Sequence, residues 1–293
     1  MAQVEVHEAQ GTEPQARRAE PPAADVVGRC PDKTPQAPAP PDDSRLFELT
    51  AAQAAADAAE VLSQGGAELN VSELAARALD AACQGIEQVV ARTPSELQPA
   101  CRAGCAFCCA IPVAVSAPEA LYIAAYLQET LSAEAQIELR THLSARAEER
   151  QGRTVDAGRT NQRFCCFLCE DRQCSIYPIR PLACRGYNSL SRSACEEAFT
   201  GQDDRVHMHE GVREVAAGVI YGLILASKKL GLEWGRYELE TAVLRALDTP
   251  DAAQRWARGE RVFAGCDQTA RPAHLAQGFK TLNHVSQRQG ASS

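Results

Sequence analysis

The chain has 293 residues, a net charge of −8, 45% hydrophobic residues and only 5% aromatics. An acidic balance without a basic stripe counts against general nucleic-acid binding, which depends on neutralising phosphates with basic groups. The alanine-rich, aromatic-poor apolar content predicts a core of small and aliphatic side chains, as in helix-on-helix packing.

The polar segment Met1 to Glu20 has no apolar signal core. Residues 1–44 are rich in Pro, Ala, Gln and Glu, including Pro35-Gln36-Ala37-Pro38-Ala39-Pro40-Pro41. Such a segment buries too little apolar surface to offset its ordering entropy, so a disordered tail is predicted, with Cys30 an incidental thiol. A helical domain should follow over 45–250. Leu46 to Leu62 reads as a helix stopped by Gly65-Gly66. Asn70 with Glu73 forms a capping pair ahead of Leu74, Ala78, Ala82, Ile86 and Val89 on one face. Only Ile111 to Val115 looks strand-like.

Ser116-Ala117-Pro118-Glu119 is a strong helix start, with a Ser cap, Pro in the first turn and Glu three residues on. It opens a helix carrying Leu121, Ala124, Ala125 and Leu127. Ser132 begins a charged, surface-like helix running to about Arg150. Val212, Val215, Ala216, Val219, Ile220 and Leu223 follow helical spacing and mark the central core helix. The longest apolar run, Val215 to Ala226, is far shorter than the ~20 residues that span a bilayer. A last helix is predicted from about Tyr237 to Leu247, before Pro250. Residues 251–293 form a C-terminal segment that should fray from about Thr269. The fold class is therefore mainly α.

Cysteine dominates the middle of the chain. Ten of the thirteen lie between residues 101 and 195. Cys101, Cys105, Cys108 and Cys109 form C-x3-C-x2-C-C, and Cys165, Cys166, Cys169, Cys174, Cys184 and Cys195 follow. Without a signal or a span the chain is expected in the cytoplasm, where thiols stay reduced, which favours metal binding over a disulfide framework. The segments bearing these residues, 93–111 and 160–200, carry turn formers and little amphipathic period. They are predicted as two irregular loops laid over the helices and meeting at a metal site.

Thiolates two or three residues apart can converge on one ion. Zinc takes four such ligands, usually as two pairs from separate segments, and iron–sulfur clusters use the same ligand type. Adjacent Cys108 and Cys109 are awkward on a single ion because neighbouring side chains tend to diverge, which suggests two ligand sets. Arg180 and Arg185 flank the later thiols, and their guanidinium groups can neutralise thiolate sulfur. Tyr177 can pack over the site or in the core.

The pattern C-x3-C-x2-C-C, then Cys165-x-x-Leu168-x5-Cys174-x-Ile176-Tyr177, then Arg180-Pro181-x-x-Cys184-Arg185 and a last Cys195, resembles the YkgJ-type cysteine-cluster family. The resemblance covers about residues 97–200. It implies a zinc- or iron-chelating module whose eight cysteines here are Cys101, Cys105, Cys108, Cys109, Cys165, Cys174, Cys184 and Cys195. Cys166 and Cys169 depart from the pattern as extra thiols and candidate additional ligands.

Three functional readings follow. The first is an iron–sulfur or zinc protein, open to redox chemistry and a protein redox partner. The second is a zinc-stapled structural or interaction module without catalysis. The third is an enzyme, because C-x3-C-x2-C with Phe107 before the third cysteine is the short signature of radical S-adenosylmethionine enzymes. That reading needs an alternating strand–helix barrel, which this chain does not offer. His207 and His209 are read as solvated or capping, and Cys83 and Cys266 as small packing groups or unpaired thiols.

Overall fold

The computed structural model describes residues 45–64, 70–150, 163–203 and 205–266. The predicted 1–44 tail with Cys30, the Gly65-Gly66 stop and the C-terminal stretch from Thr269 lie outside the described residues.

Nine α-helices carry the fold among the described residues: α1 (Leu46–Gln64), α2 (Val71–Arg92), α3 (Ala117–Thr130), α4 (Ala133–Arg150), α5 (Leu182–Gly186), α6 (Arg192–Thr200), α7 (Glu210–Lys229), α8 (Leu239–Asp248) and α9 (Ala252–Ala257). Two residues of β1 (Ala114–Val115) pair antiparallel with β2 (Tyr237–Glu238), in register Ala114 to Glu238 and Val115 to Tyr237. The fold is mainly α, as the apolar periodicity predicts. None of these helices is long and apolar enough to cross a membrane.

The predicted starts are realised by local hydrogen bonds. Asn70 Oδ1 accepts from Glu73 N at 3.0 Å and caps α2. Glu119 Oε2 accepts from both the backbone N and the hydroxyl of Ser116, each at 2.8 Å, at the start of α3. The last predicted helix begins two residues late, because Tyr237 is drawn into the strand pair with β1 and Glu238 caps α8 instead.

α7 is the hub, packed against α1, α2 and α5, while α8 packs against α3 and α4. Its central residues Val212, Val215, Val219 and Leu223 are almost wholly buried. Gly218 and Gly222 let α1 cross closely. A Cβ at Gly218 would lie 1.9 Å from Thr50 Oγ1 and 2.9 Å from Phe47 O. The predicted core helix therefore has its partner specified by two glycines and by Ala51 and Ala54.

Within the predicted 160–200 loop, the described residues 163–200 are less irregular than expected. Cys184 stands on α5 and Cys195 on α6, two short helices whose few apolar positions carry too little period to be read. Residues beyond Pro250 also contribute to the core, with Trp256, Phe263 and Cys266 buried. Cys266 packs as predicted, its thiol directed at Thr241 O. Cys83 is buried on α2 but disulfide-bonded, which corrects its reading as an unpaired thiol.

Candidate metal centre

The first cysteine segment is a turn followed by a single 3-10 turn, Phe107–Ala110. Gly104 takes a left-handed φ of 79°, which glycine adopts without penalty, and residues 101–104 are all exposed. Ala100 N donates to Ser189 O at 2.8 Å, and Ser189 N donates to Cys101 Sγ at 3.4 Å. Ser191, two residues further, caps α6 by accepting from Ala194 N, and α6 carries Cys195. Phe107 meets Phe199 of α6 with ring centroids 5.7 Å apart. The stretch holding Cys101, Cys105 and Cys108 is thus laid against the element holding Cys195.

The second segment approaches from the other side. Cys165 N donates to Cys109 O at 2.8 Å, joining the two cysteine segments backbone to backbone. The chain then folds back on itself through the Leu168–Cys174 bridge, with Ser175 N donating to Phe167 O at 2.7 Å. Cys165 and Cys174 pack against the main core beside Phe167, Ile176 and Ile179. The Tyr177–Ile179 turn leads to α5, where Gly186 sits so close to α7 that a Cβ would lie 2.7 Å from Ala216 Cβ. Cys184 is thereby held over the helical body.

Two buried carboxylates fix this second segment. Glu119 Oε1 accepts from Leu182 N at 2.9 Å, at the first residue of α5. Glu240 Oε1, on α8, accepts from Cys166 N at 2.8 Å. Burial pushes the Glu119 carboxyl up from its usual range, against the opposing pull of its three donors and of Arg236. Sequence reasoning saw Glu119 only as a cap. Its bond to a residue 63 positions away, and the role of Glu240, leave no local signal.

The electrostatics group the thiols in the same way. Burial raises Cys101, and the nearby Cys108, Cys105 and Cys195 raise it further, while the Ser189 amide opposes this. Cys195 is likewise raised by burial and by Cys105 and Cys108. In the second group, burial lifts Cys165 well up, with Glu240, Cys184 and Cys174 adding to it. Burial carries Cys184 to about 12. Cys108 joins the groups. Its thiol hydrogen-bonds that of Cys109, which drives it far up, and it also feels Arg180. The two adjacent thiols therefore lie within reach of one another.

Arg180 and Arg185 stand beside these thiols. Arg180 lowers Cys108, Cys174 and Cys184, and Arg185 lowers Cys174. The Arg180 guanidinium lies 4.7 Å from the centre of the Tyr177 ring, which gives Tyr177 a place next to the site rather than deep in the core. Arg185 is pushed down to about 10 by its own burial and then by the charge of Arg180. The Nε atoms of both are buried without a hydrogen-bond partner. A buried, unpaired N–H costs about 1–3 kcal/mol. Two guanidinium groups crowded against neutral thiols are better matched to thiolates.

The extra thiols separate. Cys169 lies beside Cys174. Cys166 points toward α4, its sulfur 4.0 Å from His142 O, in an open groove with Arg146, Glu149, Arg163 and Phe164. Burial and Glu240 push its thiol up to about 12. His207 is exposed, and His209 caps α7 by accepting from Val212 N at Nδ1, with Nε2 2.8 Å from Thr93 Oγ1. Neither adds nitrogen ligands to the thiol groups.

No three Cys, His, Asp or Glu side chains among the described residues are gathered tightly enough to hold one ion as they stand. The donor chemistry and the unpartnered arginine N–H groups fit a thiolate-bound metal. Closure of the sulfurs on it would need side-chain rotation.

Residues 100–206 match the family model CxxCxxCC, described as "Putative zinc- or iron-chelating domain". This segment is similar to that cysteine-cluster domain. The match spans roughly a third of the 293-residue chain and contains every cysteine of both groups. Comparisons with curated proteins and with solved structures give no match.

Proposed function

We propose that the protein binds zinc or iron through eight cysteines arranged as two adjoining sets. Cys101, Cys105, Cys108 and Cys195 make one set. Cys109, Cys165, Cys174 and Cys184 make the other. The observation that carries this reading is the backbone bond from Cys165 N to Cys109 O, which brings two sequence-distant thiol segments together at the Cys108–Cys109 pair. The family description supports the metal classes. The crowded arginines support a centre that is anionic when its thiols ionise.

The chain's own residues would bind and position the metal. Four thiolates on a divalent ion leave a net negative charge, which Arg180 and Arg185 would balance. Cys169 would stand in reserve beside Cys174, and Cys166 would take no part because its thiol faces α4. A bound metal would supply either a structural cross-link or, as iron–sulfur, one-electron redox chemistry.

Anaerobic purification followed by elemental analysis and an absorption spectrum tests the reading. Metal that is lost from C109S or C184S variants is expected. Broad absorbance at roughly 400 nm identifies iron–sulfur and the redox branch. A colourless protein with bound zinc identifies the structural branch. Folded protein with no affinity for either metal overturns the proposal.

A further inference from the structure

The two thiol sets are anchored very differently. The second is tied to the helical body by two buried glutamates on separate helices. Glu119 of α3 accepts from the amide that starts the Cys184 helix, and Glu240 of α8 accepts from the amide next to Cys165. Glu119 is 7% exposed and Glu240 1%. Both acceptors come from elements whose own positions are set by the core, since α3 and α8 pack against one another. Gly186 adds the close seat of α5 on α7, and Cys165 and Cys174 lie against core side chains.

The first set has none of this. Cys101 lies on an exposed stretch, 101–104, with its thiol turned partly inward and open space around the turn glycine. It is tied to α6 and the turn before it by the Ala100–Ser189 and Ser189–Cys101 bonds, the Phe107–Phe199 ring contact and the Arg192 guanidinium over the Phe107 ring. α6 itself is a nine-residue helix with exposed residues at Arg192, Ser193, Glu196 and Glu197. An incoming thiol or chelator can reach Cys101 without moving the core, whereas Cys184 is half-buried on α5, whose first amide is held by Glu119.

Resting on the two-set reading above, we infer that the set of Cys101, Cys105, Cys108 and Cys195, open to solvent at Cys101, holds an exchangeable metal, while the glutamate-tethered set of Cys109, Cys165, Cys174 and Cys184 holds a permanent one. Glu119 and Glu240 are positioning residues for the permanent metal. They touch the backbone beside its ligands and not the metal. Exchange proceeds by ligand substitution: each protein thiolate that leaves the ion is replaced by a donor of the acceptor and takes up a proton. No change of oxidation state is involved.

The test uses the full chain, reconstituted anaerobically with zinc and mixed with a chromogenic zinc chelator in excess. Two release phases of equal amplitude are expected. C101S should lose the fast phase and one equivalent of zinc, and leave the slow phase in place. E119Q provides the second arm. A glutamine offers one oxygen where two amides now need acceptors, so either Ser116 N or Leu182 N is left facing an NH2 group. The slow phase should accelerate roughly 10–100-fold, the range in which outer-sphere partners act on metal sites, with the zinc content unchanged and the fast phase unmoved. A merely structural glutamate would lower the unfolding midpoint without singling out one phase. Failure to take up zinc or iron at all overturns the metal-binding reading itself. Full uptake with a single release phase, or loss of the slow phase rather than the fast one in C101S, overturns this inference and leaves metal binding standing.

Discussion

The half-buried Arg180 sets its guanidinium between a ring on one side and thiols on the other. Its Nε has no hydrogen-bond partner, and its charge lowers three of the candidate ligands. Replacing it by methionine keeps the length of the stem and removes the charge, so the metal-free protein should fold, relieved of an unpaired N–H. Metal affinity should nevertheless fall by about 10–100-fold, measured by competition with a chelator of known affinity. Unchanged affinity would mean that the guanidinium serves packing alone. A second prediction concerns pH. Cys184 is raised from the ordinary 9.0 to about 12 by burial. The folded state thus keeps a proton that the unfolded chain gives up first. The stabilisation is fully present below 9.0 and is lost as pH rises toward 12. Urea midpoints of the metal-free protein should fall across this window, and fall less in C184A. Metal binding runs the other way, because thiolates are the ligands and binding releases protons. Affinity should therefore rise with pH up to neutral and mildly basic conditions, readable as proton release in weakly buffered solution.

At the level of elements, α7 shows how a sequence pattern and a packing constraint combine. Introducing alanine at Gly218 would gain up to about 1 kcal/mol of helix propensity. The new Cβ, however, would stand 2.9 Å from Phe47 O as well as against the Thr50 side chain. Thr50 can rotate, but the backbone of α1 cannot move without disturbing the core. Overpacking of this kind costs roughly 1–3 kcal/mol, so G218A should lower the denaturation midpoint. At the other end of α7, H209A removes the cap to Val212 N and the link to Thr93. A loss of about 0.5–2 kcal/mol is expected, checked by the same unfolding measurement. The long helices were legible because each repeats its apolar face over several turns and begins at a side-chain cap, as at Asn70 and Ser116. The cysteine-cluster resemblance was legible because cysteine at that spacing has few other uses. What could not be read is long-range. β2 is two residues whose strand character comes only from pairing with β1. The turns of α5 and α6 are too short to show a period. The bond from Glu119 to Leu182 links positions whose relation exists only after folding.

For the molecule as a whole, the helical body and the thiol segments draw on different sources of stability. α7 is surrounded by α1, α2 and α5 and buries Val212, Val215, Val219 and Leu223 almost completely. That core rests on apolar burial. The segment from Arg163 to Leu190 has only one five-residue α-helix and is held mainly by turn bonds such as Leu168 N to Cys165 O and Ser175 N to Phe167 O, with Cys165 N to Cys109 O and the two glutamates as its longer-range ties. Ordering each residue costs about 1–2 kcal/mol, and a bound ion that prefers the folded state adds stability in proportion to RT ln(1 + [L]/Kd). Chelation should therefore act locally first. Hydrogen exchange followed by mass spectrometry, with and without metal, should show faster exchange after chelation in peptides covering 163–190. Peptides covering 212–226 should stay protected. Equal acceleration in both would mean that the metal supports the entire fold, as in small zinc modules, and that the helical core is weaker than its burial implies. No change in either would mean that the glutamate tethers and packing hold the thiol segments unaided, and the case for a metal resident in the second set would fail with it.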